Sequence, residues 1–110
     1  MTLRTEKVSS LIHKKVAELL LGLELPAMVT VGRVETSGDL RHAKVFITIL
    51  PSDEALEKKV LDVLSAEIYD LQGSLNRELA MKIIPRLSFE IDYSPSYAAG
   101  ISKLLKDVKD

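Results

Sequence analysis

Two histidines, His13 and His42, are the side chains of this 110-residue chain that can exchange a proton near neutral pH. Neither has a neighbour at the spacing of a metal pair or a hydrolytic triad. His13 lies on a helical pattern away from its apolar stripe and His42 opens a strand beside a turn, so both are expected at the surface. Asp53, Glu54 and Glu57 are grouped carboxylates, but they open a helical pattern, where acidic side chains complement the positive end of the helix dipole. Cysteine is absent, which excludes disulfides and thiolate metal sites. The five glycines, at 22, 32, 38, 73 and 100, are too scattered for a phosphate-cradling loop. These residues predict no catalytic site, no metal and no cofactor.

The cations offer more chemistry. Arg4, Lys7, Lys14 and Lys15 fall within roughly a 100° arc of one helix at 100° per residue. Arg33, Arg41 and Lys44 surround a predicted hairpin, Arg77 and Lys82 belong to a later helical stretch, and Arg86 opens the last predicted strand. Phosphate binding needs such cations on one surface. The net charge is −1, yet it is unevenly spread. Residues 1–44 hold seven Lys/Arg against five Asp/Glu, residues 45–70 two against six, and residues 71–110 six against five. A basic surface therefore needs both ends of the chain, with the acidic middle facing away. Aromatic residues at 5% are too few for a base-stacking platform, and Phe46 is the one central candidate.

The elements that must position these residues are legible from periodicity. Val8, Leu11, Ile12, Val16, Leu19, Leu20 and Leu23 predict a helix from Arg4 to Leu21, ended by Gly22 and Pro26. Met28 to Thr36 is a strand whose alternation breaks between Val31 and Val34, so a bulge is expected at Gly32. Ser37-Gly38-Asp39 is turn chemistry. Arg41 to Leu50 alternates, with Ala43, Val45, Ile47 and Ile49 on one face and His42, Lys44, Phe46 and Thr48 on the other. Pro51 stops this strand and Ser52 is the expected N-cap of the next helix. Asp53 to Leu79 carries a stripe of Leu56, Val60, Leu64, Ile68, Leu71, Leu75 and Leu79. Its four-residue steps drift around a straight helix by about 40° each. Two helices with a bend between Ala66 and Gly73 are therefore expected. Pro85 introduces a third strand, with Leu87, Phe89, Ile91 and Tyr93 on one face. A short final helix is expected to present Ile101, Leu104, Leu105 and Val108. The whole chain, 1–110, forms one α+β domain of two layers, a sheet covered by helices. No apolar leader opens the chain and no run can span a bilayer, which predicts a cytoplasmic protein.

The string from Val29 to Ile47, with Val34-Glu35-Thr36-Ser37-Gly38-Asp39-Leu40 followed by Ala43-Lys44-Val45, closely resembles the strand–turn–strand signature of the bacterial ribosome-binding factor A family. That signature is Val-Glu-x-Ser-x-Asp-Leu-x-x-Ala-Lys-Val. Ile84-Pro85-Arg86-Leu87-Ser88-Phe89-Glu90-Ile91-Asp92 is similar to its Val-Pro-x-Leu-x-Phe-x-x-Asp strand. Gly100-Ile101 with Leu104-Leu105 is similar to its closing segment, and Arg4 to Ile12 fits its first helix. The resemblance spans essentially the whole chain. It implies a type II KH-like domain with αββααβ order and a three-stranded sheet. The chain departs from the family's Ala-x-Gly helix kink, which falls on Glu67-Ile68-Tyr69. Either Gly73 supplies the bend or the two helices are straighter.

The resemblance also implies a non-catalytic assembly factor that binds the immature small (30S) ribosomal subunit and aids late maturation of 16S rRNA, notably during cold growth. The candidate RNA contacts are Arg4, Lys7, Lys14, Lys15, Arg33, Arg41, Lys44, Arg77, Lys82 and Arg86. Expected partners are the subunit, its rRNA and other assembly factors, a GTPase among them. The chain is expected to act as a monomer, without cofactor or membrane. The alternative is a protein-interaction module that docks through the acidic helix from Asp53 to Asp70.

Overall fold

The computed structural model describes residues 3–93. The predicted final helix, and the Ser94-Pro95-Ser96 break before it, lie outside the described residues. Helix α1 (Leu3–Leu21) buries Val8, Ile12, Val16 and Leu20 at four-residue steps, while Leu11 stays nearly half exposed. Its last turn closes through the Gly22 and Leu23 amides, which donate to the Leu19 and Leu20 carbonyls. Strand β1 (Met28–Thr36) and strand β2 (His42–Leu50) pair antiparallel, from Met28 opposite Leu50 to Thr36 opposite Ala43. The register slips between Val31 and Val34, where two residues of β1 are accommodated without a partner of their own. That bulge returns Val34 to the covered face, as the broken alternation requires.

Strand β3 (Arg86–Ile91) runs parallel to β2, with Ala43 opposite Leu87 and Ile47 opposite Ile91, so the sheet order is β1-β2-β3. Ala43, Val45, Ile47 and Ile49 of the central strand are buried beneath the helices. The other face of the sheet carries no helix among the described residues, and His42, Lys44, Phe46 and Thr48 look out from it.

Two expectations are corrected in helix α2 (Glu54–Glu78). Its N-cap is Asp53, not Ser52: the Asp53 backbone is extended and its carboxylate accepts from the Ala55 amide at 3.0 Å. The predicted pair of bent helices is one uninterrupted helix. The buried stripe explains this. It comprises Glu57, Val60, Leu64, Leu71 and Leu75, with Ile68 partly covered between them. Glu57 and Leu75 lie eighteen residues apart, about five full turns at 3.6 residues per turn. The three-residue steps at Glu57–Val60 and Ile68–Leu71 cancel the drift, and the helix needs no re-aiming. The stripe starts on Glu57 and not on Leu56 because Tyr93, past the end of β3, donates its hydroxyl to the Glu57 carboxylate at 2.6 Å.

A side chain with no signal in the sequence ties α2 to the sheet. Gln72 accepts from the Leu87 amide at 2.8 Å and donates to the Pro85 carbonyl at 3.0 Å. Its amide thereby stands in for a neighbouring strand where β3 begins. His13 is likewise not a free surface residue. Half-buried, its Nε2–H donates to the Val31 carbonyl at 3.2 Å and pins α1 on the bulge.

Candidate nucleic-acid interface

The turn between β1 and β2 is built by its own side chains. Ser37 Oγ donates to Asp39 Oδ1 at 2.6 Å, and the Arg41 amide donates to the same oxygen at 3.0 Å. The His42 amide donates to Ser37 Oγ at 3.0 Å, and the Leu40 amide to the Ser37 carbonyl at 2.9 Å. These bonds hold the Asp39 carboxyl below the usual carboxylate range, the Ser37 hydroxyl being the larger cause. They also hold Leu40 in the left-handed region, at φ 61°, with its side chain buried. A Cβ added to Gly38 at the tip would meet nothing within 4 Å, and Gly38 has no positive φ. The Ser-x-Asp-Leu pattern is thus a locked turn whose leucine plugs the core.

Four of the predicted contact residues gather at this end of the domain. Arg4 at the start of α1 and Lys82 in the connection from α2 to β3 line one cleft of about 500 Å³, together with Gly38, Asp39 and Leu40 of the turn. Arg41 follows the turn, and its carbonyl accepts from the Arg86 amide at 2.9 Å. Arg4, Arg41, Lys82 and Arg86 are exposed and form no ion pair among the described residues. Lys7 and Lys14 are also exposed, on the same arc of α1 as Arg4.

The other four are differently engaged. Lys15 is partly covered, and its ammonium bridges Glu18 at 3.2 Å and Glu78 at 3.1 Å, so it ties α1 to the end of α2. The two carboxylates, Glu78 foremost, raise its pKa. Arg77 is exposed and donates to Ser74 Oγ at 3.2 Å. Arg33 and Lys44 lie on the open sheet face among carboxylates. Arg33 sits 4.0 Å over the Phe46 ring, bonds Glu35 at 3.1 Å and reaches Asp92 at 4.0 Å; Lys44 meets Glu90 at 3.3 Å. The half-exposed pairs with Glu35 and Glu90 contribute little to stability, yet a phosphate arriving there meets three carboxylates, the Asp92 one nearly buried, beside two cations. Phe46 is capped by Arg33 rather than free to stack on a base.

The grouped carboxylates have local structural work. Asp53 caps α2, and Glu57 is buried against Tyr93. No three His, Asp or Glu among the described residues are placed to hold a metal ion. No helix among them is long and apolar enough to cross a membrane. Asp39 is the cleft residue that sequence reasoning assigned only to a turn. Nothing in the spacing links it to Arg4 or Lys82, which are brought to it by two other segments, α1 and the connection from α2 to β3.

A helix-covered, mixed three-stranded sheet in the order α1-β1-β2-α2-β3 defines a two-layer α+β domain, with cations gathered at its hairpin end. The sequence profile described as ribosome-binding factor A matches residues 4–105, and the chain belongs to the ribosome-binding factor A family. Ribosome-binding factor A of Geobacter metallireducens is 36% identical over 108 residues, covering 96% of this chain and 91% of that protein. That of Parasynechococcus marenigrum is 36% identical over 112 residues, covering 97% and 83%. The crystal structure of ribosome-binding factor A from Thermus thermophilus superposes with a TM-score of 0.69 at 26% identity, covering 79% of this chain and 93% of that one. A homology model of the Thermus thermophilus factor, fitted into the cryo-EM map of a 30S complex, gives 0.63 at 27% identity, covering 74% and 88%.

Proposed function

We propose that this protein is a non-catalytic assembly factor that binds the immature small ribosomal subunit and assists late maturation of 16S rRNA, including during growth in the cold. The observation that carries this reading is its likeness in fold to the factor fitted into a 30S complex. The gathered cations Arg4, Arg41, Lys82 and Arg86, continued along α1 by Lys7 and Lys14, support contact through rRNA phosphates. Occupying such a site would hold local rRNA away from its mature packing, which needs no bond-making by the protein. The surroundings are those of a cytoplasmic protein acting as a monomer. Other assembly factors, a GTPase among them, would then meet it on the subunit.

The test is co-sedimentation with immature small subunits across a salt series. Lys7→Glu combined with Lys14→Glu is expected to weaken binding and to flatten its salt dependence; unchanged binding removes α1 from the interface. Lys15 is left intact in this test because its ammonium is a helix–helix tie.

A second reading is favoured by one observation. Tyr69 stands 85% exposed on the outer face of α2 beside Asp70, with Asp62 two turns earlier. An exposed aromatic among acids suits a basic protein partner. Retention of binding to isolated subunit proteins, lost in Tyr69→Ala, separates it from RNA contact.

A further inference from the structure

The cleft at the hairpin end has more chemistry than a basic patch. Its cations, Arg4 and Lys82, come from α1 and from the connection before β3; its carboxylate, Asp39, comes from the turn. Asp39 Oδ1 is consumed by the turn, accepting from both Ser37 Oγ and the Arg41 amide. Its Oδ2 has no hydrogen-bond donor among the described residues and remains available. Met81 and Ile83 supply apolar wall, and Ile83 is 46% exposed although it neighbours Lys82. At about 500 Å³ the cleft is in the range of small-ligand sites and large enough for one nucleotide.

Cations, an apolar wall and one unused acceptor are what an RNA nucleotide asks of a site. Its phosphate needs positive charge, its base needs apolar contact, and its 2′-hydroxyl needs an acceptor. We infer that this cleft receives one nucleotide of a single-stranded rRNA segment: phosphate between Arg4 and Lys82, base against Met81 and Ile83, 2′-hydroxyl donating to Asp39 Oδ2. This rests on the RNA-binding reading above and adds to it a ribose-selective subsite. Arg41, just before β2, and Arg86, at the start of β3, then meet flanking phosphates.

The test is an NMR and fluorescence-anisotropy titration of the full chain. The probes are a random-sequence RNA pentanucleotide pool, the DNA pool of the same length, and the four ribonucleoside monophosphates. The RNA pool is expected to shift the amides of Thr5, Val8, Leu40, Met81 and Ile83 and to bind about tenfold tighter than DNA, the contribution of one hydrogen bond to a charged acceptor. Asp39→Asn keeps an Oδ1 for the Ser37 and Arg41 donors, so the turn persists while the charge-assisted bond to the 2′-hydroxyl is lost and the preference for RNA over DNA shrinks severalfold. Arg4→Glu with Lys82→Glu weakens both pools. Equal affinity for RNA and DNA, shifts confined to other surfaces, or monophosphates binding as tightly as the pentanucleotides would each overturn the subsite. Co-sedimentation with small subunits separates the two levels. If the wild type sediments but the pentanucleotides miss the cleft, only the subsite falls. If the cleft titrates as expected but the chain ignores subunits, the assembly-factor reading falls instead.

Discussion

Leu40 combines two features that oppose one another. A non-glycine residue at φ 61° carries a steric cost of roughly 1–2 kcal/mol, and burying a leucine side chain returns about as much or more. The burial must win, since the turn exists to deliver that side chain. Leu40→Ala keeps the strained backbone and empties the plug, so a loss of about 2–5 kcal/mol is expected in denaturant unfolding. Leu40→Gly loses the same plug but relieves the backbone and should unfold no more easily than the alanine variant. An alanine variant clearly more stable than the glycine one would show that the positive φ is not a cost. Tyr93 allows a pH test. Its hydroxyl donates to Glu57, which foremost pushes its pKa from 10.0 up to about 12. A raised value means that the contact favours the protonated phenol. It is fully present below pH 10 and is lost as pH climbs toward 12. The ultraviolet difference between the wild type and Tyr93→Phe should therefore develop tyrosinate absorbance only well above pH 10.

Helix α2 is where element-scale reasoning from sequence succeeded and failed for identifiable reasons. Its extent followed from the repeat of Val60, Leu64, Leu71 and Leu75, because one buried face leaves a periodic record. The bend was inferred from the drift of four-residue steps, which the three-residue steps at Glu57–Val60 and Ile68–Leu71 cancel; the first of these rests on Glu57, whose partner thirty-six residues away periodicity cannot report. The β1 bulge was legible because a covered strand must keep its register with the core, and the odd step from Val31 to Val34 betrays it. Gly73 now sits inside a regular helix, and an added Cβ would lie 3.2 Å from the flexible tip of Arg77. Gly73→Ala should stabilise by about 0.5–1 kcal/mol, seen as a thermal midpoint a few degrees higher; a lowered midpoint would restore the case for a bend. Gln72→Leu should do the opposite. It strips the Leu87 amide and Pro85 carbonyl of their partner, costing about 2 kcal/mol, and hydrogen exchange at Leu87 should accelerate.

At the scale of the whole molecule, charge is sorted by place rather than by total. The hairpin end gathers Arg4, Arg41, Lys82 and Arg86 from four segments of chain, while the open sheet face pairs Arg33 and Lys44 with carboxylates. The cation types were readable in the sequence; their sorting was not, because it depends on tertiary neighbours. The sorting makes a graded prediction for binding to immature small subunits. Each cation removed from the hairpin end should lower the slope of log affinity against log salt by about one. Arg33→Gln and Lys44→Gln should leave that slope nearly unchanged.

The sheet order also has a consequence in time. Strand β2 follows its partner on one side, β1, after a short turn, but its partner on the other side is β3, a parallel strand reached only after the whole of α2. As the chain leaves the ribosome that makes it, the hairpin can close early, whereas one edge of the central strand stays bare until Arg86–Ile91 has emerged. Of the three strands, the last to be synthesised is the one that seals the sheet. Until then the nascent chain carries an open strand edge, the kind of edge that invites wrong pairing.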